Sequence, residues 1–179
     1  LTATYLSYPY QKVIGTGTML DTIRLKSLIS KKINISSNDI NLYVLGEHGN
    51  SQFVYYNNAN IAMSSLKNYL TKEEKDELSS ITKKMGGMIV NAKGYTSHGV
   101  SCCLLELTKV ILNDEKKIYP VSNYQSDYDL YFSTPVVIGK EGIIKQIPVK
   151  LNEEEEKQLV MVTKVLKEAV DEVLPPELY

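Results

Sequence analysis

"LYFSTPVVIGKEGIIKQIPVK", residues 130–150, is the stretch on which the fold turns. Two runs rich in Val, Ile and aromatic residues flank "GKEG" (139–142), which carries the glycines of a tight hairpin turn. A hairpin makes its strands antiparallel. "KIYPVSNY" (117–124), just upstream, has the same β-branched and aromatic character and reads as a further strand. Farther out, "INLYVLG" (40–46) is a buried apolar run stopped at Gly46, and "SQFVYY" (51–56) is the next strand. "IAM" (61–63), after the "NNAN" turn, is a candidate for one more.

Helical spacing fills the intervals. "TMLDTIRLKSLI" (18–29) places Leu20, Ile23 and Leu28 at helical spacing, with Thr18 as its cap, and "ISSNDI" breaks it. From "TKEE" to "NAKG" (71–94) runs a long amphipathic helix. Its stripe is Leu78, Ile81, Met85, Met88 and Ala92; Thr71 and Glu74 form a capping box and Gly94 is the stop. "GVSCCLLELTKVILN" (99–113) is apolar nearly all round, which predicts a helix central to the core. "NEEEEKQLVMVTKVLKEAVDEVL" (152–174) closes the chain as a helix capped by Asn152 and Glu155, with Leu159, Val162, Leu166, Ala169, Val170 and Val173 as its stripe. Its four consecutive glutamates look like a catalytic cluster, but a first helical turn favours anions anyway. Antiparallel strands packed by long helices make an α+β domain, expected to span residues 1–179.

The composition narrows the partners. Twenty Lys and Arg oppose 21 Asp and Glu, for a formal net charge of −1. That balance gives no electrostatic reason to expect nucleic acid or an anionic membrane. A chain of 179 residues suffices for one sizeable core and is short for two. Cys102 and Cys103 are adjacent, so they read as reduced thiols on one element and not as a structural disulfide. There is no charged-then-apolar leader, and no apolar run nears the ~18 residues of a membrane span. The expectation is a soluble cytoplasmic protein. The chain opens at Leu1, not Met, and runs straight into "LTATYLSYP", so a fragment of something longer is expected.

Four places could carry chemistry. His48, in "GEHGNS" (46–51), follows a strand, and the flanking glycines let the backbone turn and aim the ring into a cleft. A loop-end histidine also serves as a cap or hydrogen-bonding group, so the residue alone leaves both readings open. No metal is expected, because Glu47 and His48 are sequence neighbours and zinc needs several spaced His or Cys ligands. Asp21 and Arg24 lie three apart, on one helix face. Such a pair is commonly a surface ion pair worth little, yet "VIGTGTMLDTIRL" (13–25) is largely apolar, which points both charges at a polar cavity. Gly15 and Gly17 are a weak phosphate signal without the full glycine spacing. "KGYTSHG" (93–99) reads as a glycine-bounded loop with Thr96 and Ser97 as caps, His98 being structural or solvent-exposed.

In this order, "VIGTGTMLDTIRL", "GEHGNS", "KGYTS" and "PVS" resemble the C-terminal, substrate-binding half of the L-lactate/malate dehydrogenase family, in particular its L-lactate and L-2-hydroxyisocaproate branch. The resemblance runs from about Ser7 to the closing helix. It implies that His48 donates and accepts the proton, that Asp21 holds the imidazole and stabilises its protonated form, and that Arg24 grips the substrate carboxylate. It further implies that Thr96 lines the substrate pocket and that Thr16 lies near the nicotinamide of NAD. A small 2-hydroxy or 2-oxo acid as substrate and a homo-oligomer as assembly follow from the same likeness. Malate dehydrogenase is the alternative within the family, and a non-catalytic oligomerisation or ligand-binding domain the alternative outside it.

The departures are specific. Asn50 stands where lactate dehydrogenases usually carry Asp, which shifts the expectation towards bulkier, branched substrates. Lys26 and Asn41 replace the Arg and His that hold fructose bisphosphate in activated members, so that activation is not expected. The family's nucleotide-binding half, with its glycine fingerprint and mobile loop, does not fit within these residues. The polypeptide as given is therefore expected to bind NAD poorly and to be inactive alone.

Overall fold

The computed structural model describes residues 2–173, the side chains of Thr4 and Tyr5 excepted. Leu1 and Leu174, the last residue of the predicted closing helix, lie outside the described residues. A short helix α1 (Thr2–Leu6) precedes α2 (Met19–Ile33). Small antiparallel pairings follow, built from β1 (Ile40–Asn41), β2 (Val44–Leu45), β3 (Phe53–Val54), β4 (Asn60–Ile61) and β5 (Ser64–Ser65). Helices α3 (Lys72–Lys93) and α4 (His98–Leu112) lead to a three-stranded antiparallel sheet of β6 (Lys117–Gln125), β7 (Leu130–Gly139) and β8 (Gly142–Gln146). Helix α5 (Glu153–Val173) comes last. The α+β reading holds.

The hairpin lies where "GKEG" puts it, with Gly139 paired to Gly142. Residues 40–46 and 51–56 form shorter strands than their apolar runs suggest: Ile40–Asn41 pairs with Asn60–Ile61, and Val44–Leu45 with Phe53–Val54. Ile40, Leu42, Val44 and Leu45 are all buried nonetheless. Ile40, Leu42 and Val44 serve a core under α2 and α3, with Leu25, Ile29, Leu66 and Leu78, and Leu45 packs with Phe53, Phe132 and Val162. Along β7 Leu130, Phe132, Val136 and Ile138 share one face and are buried, while Thr134 on that face is half-buried. Helix α5 covers one end of that face through Val162, and α4 covers the other through Cys103, Leu107 and Val110.

The caps of the two long helices form as read. Thr71 accepts from the Glu74 amide while Glu74 accepts from the Thr71 amide. Asn152 accepts from the amides of Glu154 and Glu155. Among the four glutamates Glu155 stands apart: it is buried, and its carboxylate accepts from the backbone amides of Asn57 and Asn152. It therefore ties α5 to the segment after β3 as well as capping it.

Four expectations need correction. Helix α4 is not central to the core, since Leu104 is 52 % and Leu105 57 % exposed; only one side of it packs, and its apolar residues on the other side lie open. In α3 the predicted stripe is buried at Leu78 but exposed at Met88 and Ala92, because the helix runs past the core that covers its first half. Ile23 is exposed on α2, whose packed face is carried by Met19, Thr22, Leu25 and Ile29. Val173, at the end of the α5 stripe, is exposed as well. Both cysteines are free thiols, Cys103 buried and Cys102 exposed. No helix among the described residues is long and apolar enough to cross a membrane.

Leu25 is fully buried whereas Met63 is fully exposed. Leu25→Ala should therefore cost about 2–5 kcal/mol of stability, and Met63→Ala no more than about 0.5 kcal/mol, as read from the midpoints of urea unfolding.

Candidate active site

Two loops distant in sequence are brought together by one hairpin. Ser122 of β6 and Ser133 of β7 are register partners. On the outer side of β6, Gly15 exchanges both backbone hydrogen bonds with Ser122, each 3.0 Å; on the outer side of β7, Gly46 exchanges both with Ser133, at 3.0 and 2.8 Å. The backbone thus runs Gly15–Ser122–Ser133–Gly46 as one four-membered ladder. The segment leading into α2 and the segment leading into the His48 loop hang from its two edges.

Local chemistry explains why these segments accept the ladder. Gly17 has φ +50°, and a Cβ there would lie 2.5 Å from the backbone nitrogen of Ser122. Gly46 has φ +90°, and a Cβ there would lie 2.8 Å from Val162 of α5. Each glycine thus combines a left-handed backbone with a close approach that a side chain would block. Gly15 and Gly17 therefore lay the chain against a sheet edge, which is the reason "VIGTGT" lacks the spacing of a phosphate loop.

Thr18 does not cap α2 with its side chain. Its hydroxyl donates instead to the Val44 carbonyl at 2.6 Å, while the Val44 amide donates to the Thr22 hydroxyl at 2.9 Å. The Thr18 amide donates to the Ser133 hydroxyl at 3.0 Å. Two threonines of one helical turn thus clip β2 to α2, and fix the distance from Asp21 to the loop that follows β2.

At that distance Asp21 meets His48. The carboxylate Oδ2 lies 2.6 Å from Nδ1 of the imidazole. Its other oxygen, Oδ1, lies 3.6 Å from Nη1 of Arg24. The Asp21 side chain is 3 % exposed and that of Arg24 12 %. The surface-pair reading fails on those values. A carboxylate so buried needs partners, since desolvation without them costs several kcal/mol; the imidazole and the guanidinium supply both. Because Nδ1 is engaged, Nε2 is the ring nitrogen left for the cavity. The hydrogen bond that Asp21 accepts from the ring raises the His48 pKa above its usual 6.5; burial and Arg24 oppose that shift, and the charges of Asp21 and Glu47 add to it. The loop is steadied by Ser51, whose hydroxyl donates to the Glu47 carboxylate.

Arg24, His48, Thr16 and Thr96 all line one cavity of about 540 Å³. Asp21 stands behind it. The sequence-predicted residues are therefore brought together without exception, from three separate parts of the chain. Three further cavity residues, Gly86, Ile89 and Lys93, come from α3. Tyr95 and His98 also line it, so His98 is exposed, as one of its two readings had it, but at the rim of this cavity. Its Nδ1 lies 3.1 Å from the Lys93 ammonium, which also sits 4.6 Å over the Tyr95 ring. Gly86 and Ile89 carried no sequence signal, since their nearness to His48 depends on how α3 crosses α2; Lys93, Tyr95 and His98 lie in "KGYTSHG", which read as a plain loop. Among the described residues no three His, Cys, Asp or Glu side chains are grouped to hold a metal ion.

The family model of the lactate/malate dehydrogenase alpha/beta C-terminal domain matches residues 18–175. The chain is 31 % identical over 184 residues to an L-lactate dehydrogenase of Streptococcus equinus, covering 97 % of this chain and 56 % of that protein. It is 37 % identical over 177 residues to L-lactate dehydrogenase 2 of Lactobacillus johnsonii, covering 96 % and 58 %. Among solved structures, the malate dehydrogenase from Aeropyrum pernix superposes with a TM-score of 0.91 at 33 % identity, over 99 % of this chain and 61 % of that one. A lactate dehydrogenase from a deep-sea metagenome library gives 0.88 at 32 % identity, over 92 % and 56 %. The chain thus spans somewhat more than half the length of the relatives it matches.

Asp21→Asn should return the His48 pKa towards 6.5, followed by NMR titration of the imidazole in a chain with only two histidines. Because the folded value is the raised one, the stability contributed by the pair is fully present below about pH 6.5. It is lost as pH rises through the folded value. The variant should lose that pH dependence, and a His48 titration unmoved by the substitution would contradict the assigned coupling.

Proposed function

The chain belongs to the lactate/malate dehydrogenase family, and from that premise we propose that residues 1–179 form the substrate-binding, catalytic half of an NAD-dependent L-2-hydroxyacid dehydrogenase. The observation that carries this reading is the 2.6 Å contact between His48 and a buried Asp21, beside Arg24 in the same cavity. Its substrate is a 2-hydroxy or 2-oxo acid of the L-lactate or L-2-hydroxyisocaproate type.

In the oxidative direction the substrate hydroxyl gives its proton to Nε2 of a neutral His48, a base within the reach such a transfer needs. Asp21 then faces an imidazolium, whose charge its carboxylate balances. In the reductive direction the same imidazolium returns the proton to the forming alkoxide. The raised pKa keeps a larger share of His48 protonated near neutrality, which suits reduction. Arg24 presents a planar guanidinium that takes a carboxylate through two parallel hydrogen bonds, and so fixes which way the substrate carbon faces. Thr96 contributes to the wall of the substrate pocket. Thr16, with the apolar Leu20 and Val100 on the same cavity, fits the flat face and single polar arm of a nicotinamide. When bound, NAD supplies the hydride acceptor and donor. The rest of that cofactor is held by residues beyond this chain.

A malate-type substrate is the second reading, favoured by the fit to the Aeropyrum pernix malate dehydrogenase at 33 % identity. A non-catalytic domain has no use for a buried carboxylate between an imidazole and a guanidinium. The open apolar side of α4, with Leu104 and Leu105 exposed, suits burial in a homo-oligomer. A cytoplasmic location accords with the two free thiols.

In the full-length enzyme, His48→Asn should lower turnover by about 10²–10⁴-fold; turnover within a few-fold of wild type would overturn the role given to His48. A panel of pyruvate, oxaloacetate and 2-oxoisocaproate then ranks the substrate readings. The 179-residue chain alone should show no NADH-dependent turnover in the same assay, and robust activity would contradict the division of labour proposed above.

A further inference from the structure

A second cavity, of about 600 Å³, shares no lining residue with the first. It lies between the first half of α3, the start of α5, and β3 with the segment after it. At its wall stands Gln52, which is only 3 % exposed. Its side-chain amide has no hydrogen-bond partner among the described residues. It is also not fully cut off from solvent, since among the described residues the Tyr131 hydroxyl alone is both fully buried and unpartnered. A nearly buried amide with no protein partner is left to solvent or to a ligand group in the cavity.

The charges around it are unbalanced in one direction. Lys67, Lys72, Lys75 and Lys83 line the cavity, and the ion pairs among the described residues include none of them. The Lys75 ammonium sits 5.5 Å over the Tyr56 ring. The Lys83 ammonium donates to the Asn50 carbonyl at 3.1 Å, and burial pushes its pKa down. On the acidic side, Glu155 already spends both oxygens on the backbone amides of Asn57 and Asn152. Asp76 and Glu154 remain. Four ammonium groups, none in an ion pair among the described residues, thus face three carboxylates, one of which is already engaged by two backbone amides.

We propose that this cavity binds a small, multiply charged oxyanion, a phosphate or carboxylate group of a soluble molecule, with the Gln52 amide donating to it and Lys75 and Lys83 balancing its charge. Ammonium and amide donors aimed at one volume suit oxyanions, because each oxygen accepts charge-assisted hydrogen bonds from several directions. The site is independent of the dehydrogenase reading. Its test is a binding measurement and not an assay of turnover.

Calorimetric titration of the purified protein with inorganic phosphate and with citrate, at ionic strength fixed by potassium chloride, should show saturable binding of one anion per chain. Whichever probe binds identifies the group, phosphate or carboxylate, and either one supports the site. Lys75→Met and Lys83→Met should each weaken binding by roughly tenfold or more, the loss of one hydrogen bond to a charged group. Gln52→Leu should do the same. Because Gln52 is buried, its variant is read only if thermal unfolding matches wild type, and the two lysine variants decide the matter otherwise. Absence of saturable binding by both probes, or binding unchanged in both lysine variants, overturns the proposal.

Discussion

Everything at the candidate active site depends on a backbone ladder four residues wide. Gly15 is hydrogen-bonded to Ser122 and Gly46 to Ser133, and the two serines face each other as register partners across the β6–β7 hairpin. None of the four carries chemistry. Without their amides and carbonyls in register, however, α2 and the His48 loop would have no common frame. The threonine clips extend the same logic by one step. Thr18 and Thr22 convert the first turn of α2 into a socket for Val44, and Asp21, on that turn, arrives opposite His48. Placement to within a hydrogen bond is achieved by main-chain pairing on a sheet, which is stiffer than any loop.

Burial of Asp21 then sets the electrostatics. Its carboxylate is nearly withdrawn from water, so its two oxygens are committed to an imidazole and a guanidinium. The same charge that needs those partners also governs them. It draws a proton to His48, against burial and against the repulsion from Arg24. His48 itself stays open to the cavity, with its side chain 59 % exposed. One buried anion, one exposed proton carrier and one cation make a graded arrangement, from the interior outward to the ligand volume.

Much of this could be read from the residues. The hairpin at Gly139–Gly142, the capping boxes of α3 and α5, and the Val- and Ile-rich strands beside the hairpin are local signals, carried by neighbouring side chains and backbone preferences. Asp21 and Arg24 were legible as one helix face for the same reason, and resemblance placed His48 with them. What failed were inferences about burial. "GVSCCLLELTKVILN" is apolar enough for a buried helix, yet α4 leaves Leu104 and Leu105 exposed. Apolarity states what a helix tolerates; how many sides are covered depends on what surrounds it. The stripe of α3 ran on past its core for the same reason. Thr18 had the right residue type for a cap and used its hydroxyl elsewhere, because a strand carbonyl lay within reach.

The order of residues along the chain fixed the α+β class, the helix limits and the chemical types available: an acid and a base on one helical turn, an imidazole after a strand, glycines where the backbone turns left-handed. Those follow from dihedral preference, periodicity and side-chain chemistry, which act over a few residues. Tertiary structure settled the rest: that α3 and the Lys93–His98 segment wall the His48 cavity, that Gly15 and Gly17 serve a sheet edge, and that a second, lysine-lined cavity surrounds a buried amide. These depend on contacts between segments tens of residues apart. Such contacts are set by the packing of whole elements, and a linear pattern carries no distance between elements.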